Sequence, residues 1–171
     1  MTASQLDSNE YLPYFKNYID QAGAVGLIEG LEKGLIEMKA FFLAIPPNKL
    51  EYRYAEDKWT IKEVISHLVD TERIFCYRAL RFAREDKTAL LGFDENKYVP
   101  SSLANDRELS DLVVEFCTQR QSTISLFNSF NNKMLICQGV ASGGVVSVRA
   151  LGFLIIGHEK HHQCVINERY L

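Results

Sequence analysis

The 171-residue sequence lacks a strong excess of either charge. It carries 19 lysines and arginines against 22 aspartates and glutamates, which gives a net charge of −3 at pH 7. Proteins that bind the phosphate backbone of nucleic acid usually present a basic surface, so this balance argues against such a partner. We expect no nucleic acid to bind.

Cysteine is scarce, and its spacing excludes two common kinds of site. The four cysteines are widely separated and form no CxxC pair; they are Cys76, Cys117, Cys137 and Cys164. A zinc ribbon or a thioredoxin-like motif would require paired cysteines. Reduced thiols are therefore expected, and these suit a cytoplasmic location.

Long hydrophobic runs are also missing. The longest, at residues 40–45 and 150–156, are far shorter than the roughly 20 residues that cross a bilayer. The first ten residues have neither the basic start nor the apolar stretch of a secretory signal. No Walker motif, glycine-rich phosphate loop or nucleophile elbow occurs. We expect no membrane partner and one globular domain over residues 1–171.

What the sequence does contain is helical periodicity. Apolar residues recur every three or four positions in four long stretches, which predict helices over residues 27–42, 60–85, 108–130 and 147 to the chain end. Thr60 and Glu63 have the spacing of a capping box, and Ser147 can cap the last helix. A shorter amphipathic helix is predicted over residues 10–20.

The connections are less regular than the helices. Residues 86–106 are rich in turn formers and lack a sustained period, which predicts a long crossover between the second and third long helices. Residues 133–146 carry a weak hairpin signal. The predicted fold class is all-α, a four-helix bundle, and connections of this length disfavour a simple up-down-up-down order.

Three of the four histidines lie near the chain end, and the fourth lies in the second long helix. His158 and His162 are four residues apart and therefore share one helix face, with His161 nearer the edge of that face. His67 lies on or beside the apolar stripe of its own helix. Two interpretations fit: a metal site made by two packed helices, or buried histidines that are hydrogen-bonded in the core.

A set of three imidazole ligands would leave an open coordination position, as in catalytic zinc sites. Imidazoles also suit nickel, copper or iron. Among nearby carboxylates, Asp70 is a candidate to orient a ligand. Helix angle turns Glu72 and Glu159 away, so solvated or ion-paired roles are expected for them.

Several other groups have ordinary interpretations. The arginines of the second long helix are accompanied by acids and predict a solvated face; they are Arg73, Arg78, Arg81 and Arg84. The phenylalanines at helical spacing predict core packing. Cys164 falls on the far side of the last helix from His162 and is expected only to pack.

Four segments together carry a resemblance to a known family. They are WTIKE at residues 59–63, HLVDTER at 67–73, GFD at 92–94 and GHEKHH at 157–162. With these segments the chain resembles the DinB-like superfamily of metal-binding four-helix bundles over nearly its whole length. The resemblance implies an up-down-down-up bundle, a tendency to form homodimers, and a divalent metal, often zinc or nickel.

Carried over by position, the metal ligands implied by the resemblance are His67, His158 and His162. Some members of the superfamily transfer low-molecular-weight thiols such as bacillithiol, or use mycothiol or glutathione in transferase or isomerase reactions. The leading hypothesis is therefore a metal-dependent thiol S-transferase that acts on a small-molecule substrate. A metal-dependent hydrolase and a non-catalytic metal-binding stress-response module are the alternatives.

Overall fold

A computed structural model describes all residues, 1–171, as a bundle of helices with one small hairpin. In chain order the helices and strands are α1 (Lys16–Ala22), α2 (Leu27–Leu43), α3 (Ile61–Ala83), α4 (Glu95–Ser101), α5 (Leu109–Asn128), α6 (Asn132–Leu135), β1 (Gln138–Ala141), β2 (Gly144–Ser147) and α7 (Val148–Arg169). The bundle consists of α2, α3, α5 and α7. All four were predicted from the apolar periodicity, and the all-α four-helix bundle is confirmed.

The bundle has the up-down-down-up order. α2 and α7 run parallel, since Lys49, just after α2, donates to the carbonyl of Tyr170 at the end of α7 over 2.8 Å. α3 and α5 also run parallel, because Thr60 and Asn105, just before the two helices, are hydrogen-bonded at 2.7 Å. The start of α2 and the end of α5 meet at Gly152, so these two helices are antiparallel. Each of α3 and α2 packs on both α5 and α7.

Side-chain caps fix where the two histidine-bearing helices begin. Thr60 Oγ1 accepts from the amide of Glu63 at 3.1 Å, and Glu63 Oε2 accepts from the amide of Thr60 at 2.8 Å. This is the predicted capping box. Ser147 accepts from the amide of Ala150 at 3.1 Å and caps α7 as predicted. Each cap stabilises its helix by about 1 kcal/mol, so the first residue of each helix is well defined.

The long crossover between α3 and α5 is present but contains structure of its own. α4 lies within it, capped by the side chain of Asp94, and a 3-10 helix follows at Ala104–Asp106. Leu90 joins the hairpin: its amide donates to the carbonyl of Val140 over 2.9 Å. The crossover is therefore fastened to the end of the bundle where α7 begins.

The hairpin is antiparallel, with Ala141 paired to Gly144 across a two-residue turn. Ser142 and Gly143 both have positive φ, 53° and 81°, as the tight turns that suit twisted hairpins require. The weak sequence signal at residues 133–146 is confirmed.

The predicted helix at residues 10–20 begins later than expected. Pro13–Phe15 forms a 3-10 turn and α1 follows. α1 packs on α7, where Gly157 allows a close approach: a Cβ at this position would lie 1.7 Å from the carbonyl oxygen of Tyr18. No helix of the chain has both the length and the apolar character needed to cross a bilayer.

Candidate metal centre

His67 on α3 and the pair His158 and His162 on α7 bring their imidazoles together between the two helices. The Nε2 atom of His158 lies 3.1 Å from Nε2 of His67 and 3.0 Å from Nε2 of His162. One ligand atom from each residue falls within a cluster no wider than 4.8 Å. His67 is buried, and the other two are half-buried. The residues singled out by helix angle therefore meet in space.

The spacing of the ring nitrogens suits a single ion. Two nitrogens bound to zinc at about 2.0–2.1 Å with tetrahedral angles lie about 3.3–3.4 Å apart. The observed separations of 3.0 and 3.1 Å are close to this value. The cluster spans up to 4.8 Å, so the rings would have to adjust for all three nitrogens to reach one cation.

Burial keeps the three imidazoles neutral and so leaves their lone pairs free for a metal. Burial lowers the pKa of His67 from 6.5 to about 4. Burial, followed by the neighbouring histidines, lowers the pKa of His158 and His162 well below the ordinary value. Protons therefore compete weakly for these nitrogens at neutral pH.

Hydrogen bonds among the histidines cannot satisfy all three nitrogens. A neutral imidazole nitrogen carries either one proton or one lone pair. Nε2 of His158 therefore makes one good hydrogen bond, although two other Nε2 atoms lie within 3.1 Å of it. A cation accepts all three lone pairs, and this favours the metal interpretation over the hydrogen-bonded core.

Aromatic rings border the cluster. The ring of Trp59 lies 4.7 Å from that of His67 between centroids, and the ring of Tyr18 lies 5.5 Å from that of His158 in an edge-on arrangement. Thr71 Oγ1 is 3.5 Å from Nδ1 of His67, which places a hydroxyl behind this ring. His161 contacts Tyr18 at 5.2 Å and does not join the cluster.

Asp70 does not orient a ligand in this structure. Its carboxylate lies 3.5 Å from Arg73 and makes no hydrogen bond to an imidazole. Burial raises the pKa of Asp70 above its ordinary value. No carboxylate oxygen hydrogen-bonds to any of the three histidines, so the structure offers no carboxylate base in contact with the cluster.

Glu72 and Glu159 do not join the histidine cluster, as helix angle predicted, and both are buried and ion-paired. They meet Arg120 of α5, a residue that the sequence analysis did not single out. Arg120 donates from Nε and Nη2 to the two oxygens of Glu72, each over 2.8 Å. Thr123 donates to Glu72 Oε1 over 2.6 Å.

The contact between Arg120 and Glu159 is ionic. Nη2 of Arg120 lies 2.6 Å from Oε2 of Glu159, but this oxygen has no hydrogen-bond partner of acceptable angle. Burial raises the pKa of Glu159 to about 7, against the opposing effect of Arg120. Burial alone would lower the pKa of Arg120. The neighbouring carboxylates of Glu72 and Glu159 have the opposite effect, and the net result is a raised pKa.

One arginine predicted to be solvated is buried. Arg78 donates through Nη2 to the carbonyl of Leu91 over 3.1 Å and to Ser142 Oγ over 2.9 Å. It anchors the crossover and the hairpin turn to α3. Its position on the apolar seam of α3 was the available signal, and the neighbouring acids led to the wrong prediction. Cys164 is exposed and lies outside the cluster.

The fold and the histidine cluster place the chain in a known class of helical bundles. The chain belongs to the DinB superfamily, whose family model matches residues 31–166. Comparison with curated proteins finds no significant match.

Among solved structures, the chain is similar to YfiT from Bacillus subtilis, described as a probable metal-dependent hydrolase with an unusual four-helix bundle topology. The two share 17% sequence identity with a TM-score of 0.75, over 83% of this chain and 82% of YfiT. At this identity the similarity establishes the fold.

Proposed function

We propose that this protein is a divalent-metal-dependent enzyme that acts on a small molecule, with His67, His158 and His162 as the ligands. The observation that carries the proposal is the convergence of three Nε2 atoms from two helices. Three protein ligands leave at least one coordination position for a reactant. Zinc or nickel is the expected ion, since both accept imidazole ligands.

The ion would supply Lewis acidity. Such a cation lowers the pKa of a bound water to about 7 and favours the thiolate form of a thiol. The protein's own part is to keep the imidazoles neutral by burial and to limit solvent with the rings of Trp59 and Tyr18.

A thiol S-transferase is the reaction class that we place first. Water is a poor nucleophile that benefits from a general base, whereas a small thiol has a pKa near 8.5 and needs less help. A thiol would therefore depend less on such a base than water would. A low-molecular-weight thiol would be the second reactant.

A metal-dependent hydrolase is the second candidate. It is favoured by the similarity to YfiT, which is described as a probable metal-dependent hydrolase. In that case Asp70, one turn beyond His67, is the nearest candidate base along α3. Burial raises the pKa of Asp70 above its ordinary value, the direction that makes a carboxylate a stronger base.

An open cavity that none of the three histidines lines has the size of a small-molecule site. It has a volume of about 580 Å³ and lies between α3 and α4, lined by Asp70, Arg73, Ile74, Lys97, Tyr98, Ser101 and Ser102. At about 100° per residue, Ile74 lies about 20° and Asp70 about 60° from His67 around α3. Arg73, which also lines the cavity, lies about 120° from His67, so the cavity faces a side of α3 next to that of His67. Volumes of this order are common for ligand sites.

Activity assays with and without metal test the proposal. The protein, loaded with zinc or nickel, would be given small thiols with electrophilic acceptors, and separately ester and amide substrates. Turnover that requires a thiol and disappears on chelation supports the transferase, and chelator-sensitive turnover without a thiol supports the hydrolase. Activity that survives complete metal removal would refute both.

A non-catalytic metal-binding module is the remaining alternative. It predicts that chelation lowers the melting temperature while every substrate panel shows no turnover.

We also propose a cytoplasmic location, which accords with four cysteines that form no disulfide.

A further inference from the structure

A layer of polar residues crosses the bundle between two apolar clusters. One cluster lies toward the hairpin end, and the other lies toward the end where α3 begins. Between them all four bundle helices contribute to the layer: Gly34 from α2, Glu72 from α3, Arg120 with its neighbour Thr123 from α5, and Glu159 from α7. The three charged side chains are buried, with side-chain exposures of 1% for Arg120, 4% for Glu72 and 2% for Glu159.

Arg120 connects the other three helices. Its paired bonds to Glu72 reach α3, its ion pair with Glu159 reaches α7, and Nη1 donates to the carbonyl of Leu31 on α2 over 3.4 Å. A planar guanidinium held by two parallel bonds tolerates little displacement of its partner. The residue therefore fixes three helices against α5.

Gly34 provides the space for this arrangement. A Cβ at Gly34 would lie 2.1 Å from Glu159 Oε1 and 2.7 Å from Arg120 Nη1. Both atoms belong to buried groups that are already held by ionic contacts, so they cannot move away at low cost. The small residue on α2 is thus part of the layer.

The layer lies directly against the metal centre. Glu159 follows His158 in the chain, and Glu72 lies five residues after His67 on α3. Glu72, Arg120, Glu159 and His158 border one enclosed space that has no room for a water molecule. Any sliding of α3 along α7 would therefore disturb the ion pairs and the histidine cluster together.

Even a small shift of α3 along α7 is large on the scale of metal–ligand distances. A shift of one residue along a helix is about 1.5 Å, which is large compared with the tolerance of about 0.2 Å in metal–ligand distances. The same shift would break the paired bonds of Arg120. A slip of this size would therefore disrupt the layer and the histidine cluster together.

We propose that Arg120, with Glu72, Glu159 and Gly34, is a positioning device that sets the stagger of α3 against α7 and so presents the three histidines to a divalent cation. Arg120 touches no ligand and acts through the helices. This inference rests on the proposed metal site, and it holds whichever reaction the site performs.

The test uses Co²⁺ as the probe, because its absorption spectrum reports coordination geometry. Arg120→Met removes the guanidinium, and Gly34→Ala inserts a methyl group into the layer without removing a charge. The triple variant Arg120→Met, Glu72→Gln, Glu159→Gln leaves no unpaired buried charge, so it keeps the test open if Arg120→Met does not fold. Arg149→Met is the matched control, since it removes another largely buried ion pair, with Glu10, in the first turn of α7.

We expect the Arg120 and Gly34 variants to bind Co²⁺ about 10–100-fold more weakly and to show an altered absorption spectrum when saturated. Arg149→Met should lose stability in urea but keep the wild-type affinity and spectrum. Folded layer variants with unchanged affinity and spectrum would overturn the positioning role alone. A wild-type protein that binds no Co²⁺ would instead overturn the metal site on which the inference rests.

Discussion

At the scale of single residues, the proposed chemistry depends on imidazoles that stay neutral in a buried place. Burial lowers the pKa of His67 to about 4, and it acts in the same direction on His158 and His162. A buried imidazole that resists protonation makes its lone pair available to a metal. The same property makes the metal-free protein sensitive to acid.

The stability of the metal-free protein should fall as pH falls from about 6.5 to 4. His67 has a pKa of 6.5 unfolded and about 4 folded, so the unfolded chain binds the proton first and gains from acidification. One such group lowers the free energy of unfolding by up to about 1.4 kcal/mol for each pH unit of acidification in this range. Urea unfolding of wild type and His67→Gln at a series of pH values measures this pH dependence of stability.

The comparison with His67→Gln isolates this group from Glu159, whose raised pKa acts in the opposite direction over part of the range. The wild type should lose free energy of unfolding more steeply than the variant. If the free energy of unfolding depends on pH equally in wild type and His67→Gln, the imidazole of His67 titrates normally in the folded state.

Helix angle within one helix predicted which histidines share a face, and the three residues meet as expected. The same method missed Arg120, because its partners come from other helices and no local pattern records them. It was also wrong about Arg78, whose acceptors are the carbonyl of Leu91 and the hydroxyl of Ser142. Polar residues buried by tertiary contacts resemble surface residues in sequence.

At the scale of elements, α1 packs closely on α7 because Gly157 has no side chain. Gly157→Ala would place a Cβ 1.7 Å from the backbone of Tyr18, and backbone has little room to retreat. We expect α1 to be displaced, at a cost of about 1–3 kcal/mol. Urea unfolding measures the loss, and hydrogen exchange should show faster exchange at residues 16–22.

Gly26→Ala is the matched control for this prediction. A Cβ at Gly26 would lie 3.6 Å from its nearest neighbour, which is an ordinary contact. Gly26 is the N-cap of α2, where alanine is less favourable by up to about 1 kcal/mol, so this variant should lose little stability and should keep the wild-type exchange at residues 16–22. If Gly157→Ala behaves in the same way, the close approach of α1 to α7 is incorrect.

The long helices could be predicted because a period of about 3.6 residues repeats over five or six turns in each. The short elements could not be predicted so well. α4 has only seven residues and contains Pro100, so it offers no sustained period, and it is held by contacts with α3. The hairpin has strands of four residues, and its turn was the main local signal.

At the scale of the whole molecule, the bundle is expected to associate as a homodimer. The expectation comes from the family resemblance, and exposed apolar side chains on α2 and α5 are candidates for the contact. On α2, Ile36 and Leu43 are 72% and 55% exposed, and on α5 Val114 is 65% exposed. Burying such groups against a second chain would stabilise a dimer.

Sedimentation equilibrium tests the assembly. The chain has a mass of 19.5 kDa, and we expect twice this mass in solution. Ile36→Lys with Val114→Lys should shift the mass toward the single chain if this surface is the contact. A wild-type mass of one chain at every concentration would contradict the prediction.

The central claim is that three histidines from two helices bind one divalent ion, and metal content per chain measures it most directly. After equilibration with zinc or nickel and removal of free ion, wild type and His161→Ala should each retain close to one ion per chain. His67→Ala, His158→Ala and His162→Ala should retain almost none. A full equivalent of metal in both His67→Ala and His158→Ala, or no metal in the wild type, would contradict the account.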